Sequence, residues 1–214
     1  MVRARIKVGI RIFAAVKRHQ PGVAYVGAAA KEVPEGLFLE APRVAAVSGS
    51  LAAVPGLRRE LASMGAGRDA ALLDVGSGAG LPGVVFAICC PALRVTCVDT
   101  VAKKAAFIRQ AALELMLPNL TGLRARVESV AQPFDIVCSR AFASLADFTA
   151  WSRPALKPGG VWMAMKGRHP ADEIAALPNT VEVFHVEQLA VPGLSAERCI
   201  VWARRGAPDA APLN

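Results

Sequence analysis

The chain has 214 residues, of which 54% are hydrophobic and 20% charged, with a mean hydropathy of +0.39. That is enough apolar material for one α/β domain with a sizeable core, and it excludes a disordered chain. The net charge of +8 says less than its distribution: residues 1–70 hold 11 basic and 5 acidic side chains and residues 71–214 hold 14 and 12, so the basic excess lies mostly outside the segment that carries the chemistry.

Residues 1–50 show no clear hydrophobic period, and prolines at 21, 34 and 42 interrupt any long helix. Arg11 and Lys17 break up the apolar residues there, so a secretory core is absent. The acid-free stretch 1–31 leaves a transit peptide open. Residues 50–62 read as a short helix broken by Pro55. From Ala71 the pattern becomes regular. Residues 71–75 read as a buried strand, 81–90 as a short apolar helix and 94–98 as a second strand. Residues 101–116 form a longer helix, with Val101, Ala105, Ile108, Ala112 and Leu115 on one face and Lys103 and Lys104 solvated. Strands follow at 120–124 and 134–138, then a helix at 143–151. Lys157-Pro158-Gly159-Gly160 reads as a turn before a strand at 161–165. A short helix at 171–177 and two strands at 181–191 and 199–203 complete the order. Residues 206–214 read as a frayed tail.

Strand–helix alternation of this kind predicts a doubly wound, mostly parallel sheet of the Rossmann-like α/β class, with the last strand antiparallel. Three parts are expected: a poorly defined segment over 1–50, one ligand-binding domain over 51–205, and the tail. The longest uncharged run, residues 75–93, contains four glycines and two prolines and is not a membrane span. The five cysteines form no C-x-x-C pair and no Cys/His spacing, and the three histidines are scattered. They read as small core residues of a cytoplasmic protein without a metal site. Trp151, Trp162 and Trp202 are spaced as core residues, not as base-stacking platforms.

The glycine run after the first strand is the main chemical signal. Gly78-x-Gly80-x-x-Gly83 fits the dinucleotide fingerprint, with Asp99 about 20 residues on. Asp74-x-Gly76-x-Gly78-x-Gly80 fits equally the first motif of methyltransferases that use S-adenosylmethionine. A pyrophosphate prefers no anion nearby. The adenosyl donor carries an ammonium that an acid at Asp74 would welcome, and Asp99 would accept ribose hydroxyls in either case. Phe134-Asp135 and Leu156-Lys157-Pro158-Gly159-Gly160 favour the methyl donor. Glu128, after the third strand, is placed to read an adenine edge. Ser139-Arg140-Ala141 follows the fourth strand, where enzymes that methylate exocyclic amines carry Asn/Asp-Pro-Pro-aromatic. Arg140 offers instead a fixed guanidinium fork. Cys138 lies two residues too early for a nucleophile. Lys166 and Arg198 are candidate phosphate contacts.

Asp74-Val-Gly-Ser-Gly-Ala-Gly-Leu-Pro-Gly83, Arg126-Val-Glu128, Ser139-Arg-Ala-Phe-Ala-Ser144, Met165-Lys-Gly167 and residues 190–198 together resemble the bacterial small-subunit rRNA guanine-N7 methyltransferase family. The resemblance runs from about Ser48 to Arg204. It implies a cytoplasmic, monomeric enzyme that transfers methyl from S-adenosylmethionine to N7 of a guanine in 16S rRNA of the 30S subunit. It further implies donor contacts from Gly76, Leu81, Val127, Glu128 and Arg140, with Asp74, Gly78, Gly80 and Asp99 joining by fold analogy. No metal and no general base are expected. The family's usual Trp-Asn…Asn-Leu-Thr signature is absent from residues 1–47, which points to a divergent or out-of-frame start. The rival readings are a methyltransferase for another base or a small molecule, a nicotinamide-dependent oxidoreductase, and a non-catalytic binder.

Overall fold

The computed structural model describes residues 13–14, 41–65, 69–191 and 195–206. α1 (Ala41–Ala52) and α2 (Val54–Ser63) lie ahead of the first strand. β1 (Ala71–Val75), α3 (Gly83–Cys89), β2 (Arg94–Asp99), α4 (Ala102–Glu114), β3 (Leu120–Arg124) and β4 (Phe134–Arg140) then alternate. α5 (Leu145–Ser152), β5 (Leu156–Lys166), α6 (Ala171–Ala175), β6 (Val181–Gln188) and β7 (Cys199–Arg205) complete the described chain. The seven strands form one sheet in the order β3-β2-β1-β4-β5-β7-β6. β1 to β5 are parallel, whereas β7 runs antiparallel to both β5 and β6.

β1 lies between β2 and β4, and all five of its residues are buried. A central parallel strand covered on both faces needs such an unbroken apolar run. Alternate side chains feed two cores. Leu72, Ile136, Met163 and Trp202 face one, with Phe86 of α3 and Ile108 of α4. Leu73, Val137, Trp162 and Val201 face the other, with Phe148 of α5. The chain's direction of winding reverses between β1 and β4. That switch point opens a crevice beyond the carboxyl ends of the strands, where open α/β sheets take their ligands.

The element order matches the sequence pattern, and the departures have physical causes. α1 is a helix where no element is expected. Its composition of Ala, Val, Ser and Gly gives no contrast between faces, yet Val47 and Ser50 are buried. The helical run is broken at Pro55 as expected: α1 ends at Ala52 and α2 starts at Val54, with Pro55 in its first turn, where its missing N–H costs nothing. The 157–160 turn lies inside β5, as a shift in register against β4 with Gly159 at φ +75°. Lys157 Nζ binds both oxygens of Asp135 at 2.9 and 2.8 Å, and Asp135 also accepts from Ala71 N at 2.8 Å. Phe134-Asp135 and Leu156–Gly160 thus lock the beginnings of β1, β4 and β5, at the opposite edge from the crevice. Trp162 and Trp202 are buried as expected, but Trp151 is 42% exposed. Val101, expected on the inner face of α4, is 45% exposed because it precedes the helix as its cap. The expectations for residues 1–40 and for the tail fall almost wholly outside the described residues.

Candidate functional site

The glycine turn is built from backbone. Gly76 N and Ser77 N donate to Val98 O at 2.9 and 3.2 Å, tying the end of β1 to β2. Gly80 N and Leu81 N both return to Ser77 O, at 2.8 and 3.1 Å. Gly76, Gly78 and Gly80 have φ of +65°, +57° and +85°, a region that costs an L-residue about 1–2 kcal/mol. Space is as restrictive as conformation. A Cβ on Gly76 would stand 2.8 Å from the Phe142 ring, and one on Gly80 would strike Val84. A Cβ on Gly83 would meet Cys97 Sγ, with Asp74 Oδ2 at 2.8 Å.

Asp74 lies beneath this turn rather than in the crevice. Its side chain has no exposed surface. One oxygen accepts Gly83 N at 2.9 Å, the first amide of α3. The strand register sets Cys97 and Cys138 directly opposite it on either side, and their thiols approach at 3.8 and 3.7 Å. Burial drives the Asp74 carboxyl up from 3.8 to about 7, against the lowering effects of the Gly83 amide and the Arg140 charge. Burial, together with the neighbouring carboxylate, also pushes both thiols well above their ordinary range. Both cysteines are therefore neutral core groups, as their spacing suggests.

Asp99 ends β2 on the same face as Cys97. Its Oδ2 accepts Gly78 N at 3.1 Å, its Oδ1 accepts Val101 N at 2.9 Å, and Lys104 Nζ lies 3.4 Å away. A carboxylate has about four lone-pair sites, so capacity remains for a ligand hydroxyl. Lys104, expected on a solvated face, is exposed but paired. Leu81 and Val127 are buried. Glu128 is exposed in the turn Val127–Ser129. The amide hydrogen bond within its own residue and Arg126, 3.1 Å away, hold its carboxyl below the usual range.

Arg140 ends β4 in the same column as Cys138. It is half-buried, with Nε 3.5 Å from Leu81 O. Asp74, Asp99, Arg140 and the glycine turn therefore converge at one end of the sheet, because β-strand alternation puts all three side chains on one face. Ala141, at φ +51°, turns the chain so that Phe142 packs on Gly76. That ring meets Phe148 and Trp151 edge-on, with centroids 6.1 and 5.9 Å apart. Phe142 belongs to the Ser139–Ser144 motif, but its packing on Gly76 and the Cys97–Asp74–Cys138 row are not features of the sequence motifs. The row becomes visible only when the strand ends are aligned. Lys166 and Arg198 differ in their surroundings: Lys166 Nζ binds Glu173 at 3.0 and 2.7 Å, whereas Arg198 donates to Glu197 O at 2.6 Å. Among the described residues, no group of His, Cys, Asp or Glu could hold a metal ion.

Likeness to solved structures defines the fold. The chain matches ribosomal protein L11 methylase from Lactobacillus delbrueckii subsp. bulgaricus with a TM-score of 0.56 at 13% identity, covering 74% of this chain and 78% of that one. It matches TrmN from Thermus thermophilus with a TM-score of 0.55 at 21% identity, covering 69% and 47%. At these identities the likeness is one of fold, and the fold is that of methyltransferases. Residues 60–201 match the GidB family, rRNA small subunit methyltransferase G. Ribosomal RNA small subunit methyltransferase G of Polaromonas naphthalenivorans is 72% identical over 155 residues, covering 72% of this chain and 70% of that protein. The protein of the same name from Acidovorax ebreus is 71% identical over 159 residues, covering 72% and 70%. The chain belongs to this family.

Proposed function

We propose that the chain transfers a methyl group from S-adenosylmethionine to N7 of a guanine in 16S rRNA of the 30S subunit. The observation that carries this reading is the convergence of the glycine turn, Asp99 and Arg140 on one face at the switch point, in a chain of this family. The turn fits an adenosyl ligand: three left-handed glycines leave backbone where side chains would stand, and Asp99 closes the turn with lone pairs to spare for ribose hydroxyls. It suits a pyrophosphate poorly. The first amide of α3, which a phosphate would use, already donates to Asp74. This disfavours the nicotinamide-dependent rival.

When bound, the sulfonium donor supplies an electrophilic methyl. The guanine N7 lone pair would take that methyl, with the C–S electron pair staying on sulfur. No proton leaves N7, so the residues have only to bind, align and exclude water. Gly76, Gly78, Gly80 and Leu81 present backbone to the donor. Asp99 would hold the ribose hydroxyls, and Val127 and Glu128 would border the adenine. Arg140 sets a fixed positive fork beside Leu81 at the reacting edge. Asp74 acts through the turn: by holding Gly83 N it fixes the start of α3 and the path of the glycines above it. No helix among the described residues is long and apolar enough to cross a membrane.

The test is transfer of labelled methyl to 30S subunits that lack the modification, followed by identification of the product base. Labelled N7-methylguanine in 16S rRNA is the expected product. Label on another base, or cofactor binding without turnover, overturns the reading.

A further inference from the structure

The cations at the crevice mouth are not in equivalent states. Lys166 is neutralised: Glu173 takes its Nζ with both oxygens, Ala143 O lies 3.4 Å away, and Glu173 also accepts Leu145 N at 2.7 Å. Lys104 faces Asp99, and Arg126 faces Glu128. Arg140 and Arg198 differ from these. Among the described residues neither makes an ion pair with a carboxylate, although both are half-buried. The Asp74 carboxylate behind Arg140 is sealed in the core and carries only part of its charge at neutral pH.

The sheet register explains their proximity. Arg140 on β4 pairs with Met165 on β5, and Met165 pairs with Ile200 on β7. Arg198 lies two residues before Ile200, just past the carboxyl end of β5. Its backbone is pinned there, because Leu189 N donates to Arg198 O at 2.7 Å. Burial lowers the proton affinity of Arg140, the Asp74 charge raises it, and the Arg198 charge lowers it. A half-buried guanidinium without a carboxylate partner leaves its charge unanswered until an anion joins it. Arg140 stands beside the donor turn. Arg198 is two strand spacings away, roughly 10 Å along the sheet.

We propose that Arg198 binds a backbone phosphate of the RNA strand that carries the target base, leaving Arg140 to the donor side of the crevice and Lys166 without a part in RNA binding. This rests on the proposed function, since it names the residue by which that site holds its RNA. A guanidinium suits the task because its fork pairs with phosphate oxygens in two places. A carboxylate-paired lysine has no charge left to give.

The test measures binding of 30S subunits against salt concentration, KM for 30S subunits, and S-adenosylhomocysteine affinity by calorimetry. It uses the full chain and its Arg198→Ala, Arg198→Gln and Lys166→Gln variants. Arg198→Ala raises KM for 30S subunits about tenfold. It also reduces the slope of log affinity against log salt by about 0.7–0.9, the loss of one phosphate contact. S-adenosylhomocysteine binding stays within about twofold of wild type. Arg198→Gln, which keeps length without charge, gives the same slope change and decides the matter if Arg198→Ala does not fold. Lys166→Gln keeps the wild-type slope. An unchanged slope in both Arg198 variants, a slope change in Lys166→Gln instead, or an equal loss of cofactor affinity overturns the inference. Wild-type protein that binds no 30S subunits overturns the proposed function itself, whereas wild-type and Arg198 variants that bind alike overturn the inference alone.

Discussion

Replacing Asp74 by Asn keeps the shape of the side chain and removes its titration. In the folded protein burial raises this carboxyl from 3.8 to about 7. A difference of about 3 pH units corresponds to a preference of about 4 kcal/mol for the neutral form. The folded state holds the proton more tightly than the unfolded chain does. The stabilisation is therefore complete below pH 3.8 and is lost as pH rises through about 7. Between pH 5 and 8 the wild type gives up about 3 kcal/mol from this group, and Asp74→Asn gives up none of it. For a chain of this size about 1 kcal/mol moves Tm by about 2–4 °C. The Tm of the variant minus that of the wild type should therefore grow by about 6–12 °C from pH 5 to pH 8. Thermal melts of both proteins across a shared buffer series measure this. The readout is the change in the difference, so any constant cost of fitting an amide between the two thiols drops out. Parallel Tm curves over that interval would refute the argument, because Asp74 would then be titrating where an exposed carboxylate does.

Arg140→Ala should reduce methyl transfer about 10–100-fold, the range for losing a charged hydrogen bond. Lys103→Ala, on the exposed face of α4, should stay near wild type, and equal rates for the two variants would remove Arg140 from the site. Gly76→Ala forces an L-residue into φ +65° with its Cβ 2.8 Å from the Phe142 ring. It should lose about 1–2 kcal/mol of stability from conformation alone and weaken S-adenosylhomocysteine binding, as melts and calorimetry would show. An unperturbed variant would mean that the turn moves freely. Asp99→Ala releases Gly78 N and Val101 N as well as the ribose contact, and should lower cofactor affinity at least tenfold by calorimetry, about 1.4 kcal/mol. Wild-type affinity would place the ribose elsewhere.

Much of the site was legible because its parts are local. A buried strand, alternate glycines and a following helix occupy nineteen consecutive positions, 71–89, and the structure keeps that order. Asp99 and Arg140 were legible because each closes an apolar β-run, and parallel strands bring such ends together. Less legible were features that depend on what a side chain meets. Asp74 reads as an acid facing a ligand, but strand pairing seals it between Cys97 and Cys138, the latter 64 residues away. Trp151 reads as a core residue but lies on an open face. Phe134-Asp135 and Leu156–Gly160 read as signs of the donor site, and they pin the far edge of the sheet.

The amino-acid sequence by itself determined the strand–helix order, the glycine turn, the residues that close the strands and the family to which they point. These follow from hydrophobic period and from the few residues that tolerate left-handed backbone, both of which act over a handful of neighbours. Only the tertiary structure decided which charges are free. Lys166 and Arg198 are both cations at strand ends, yet Glu173 on α6 pairs with the first, whereas the second, just ahead of β7, has no carboxylate partner among the described residues. Charge pairing and burial depend on through-space neighbours set by the whole sheet. That is why a carboxylate-paired lysine could be told from an arginine without such a partner only after the chain was folded.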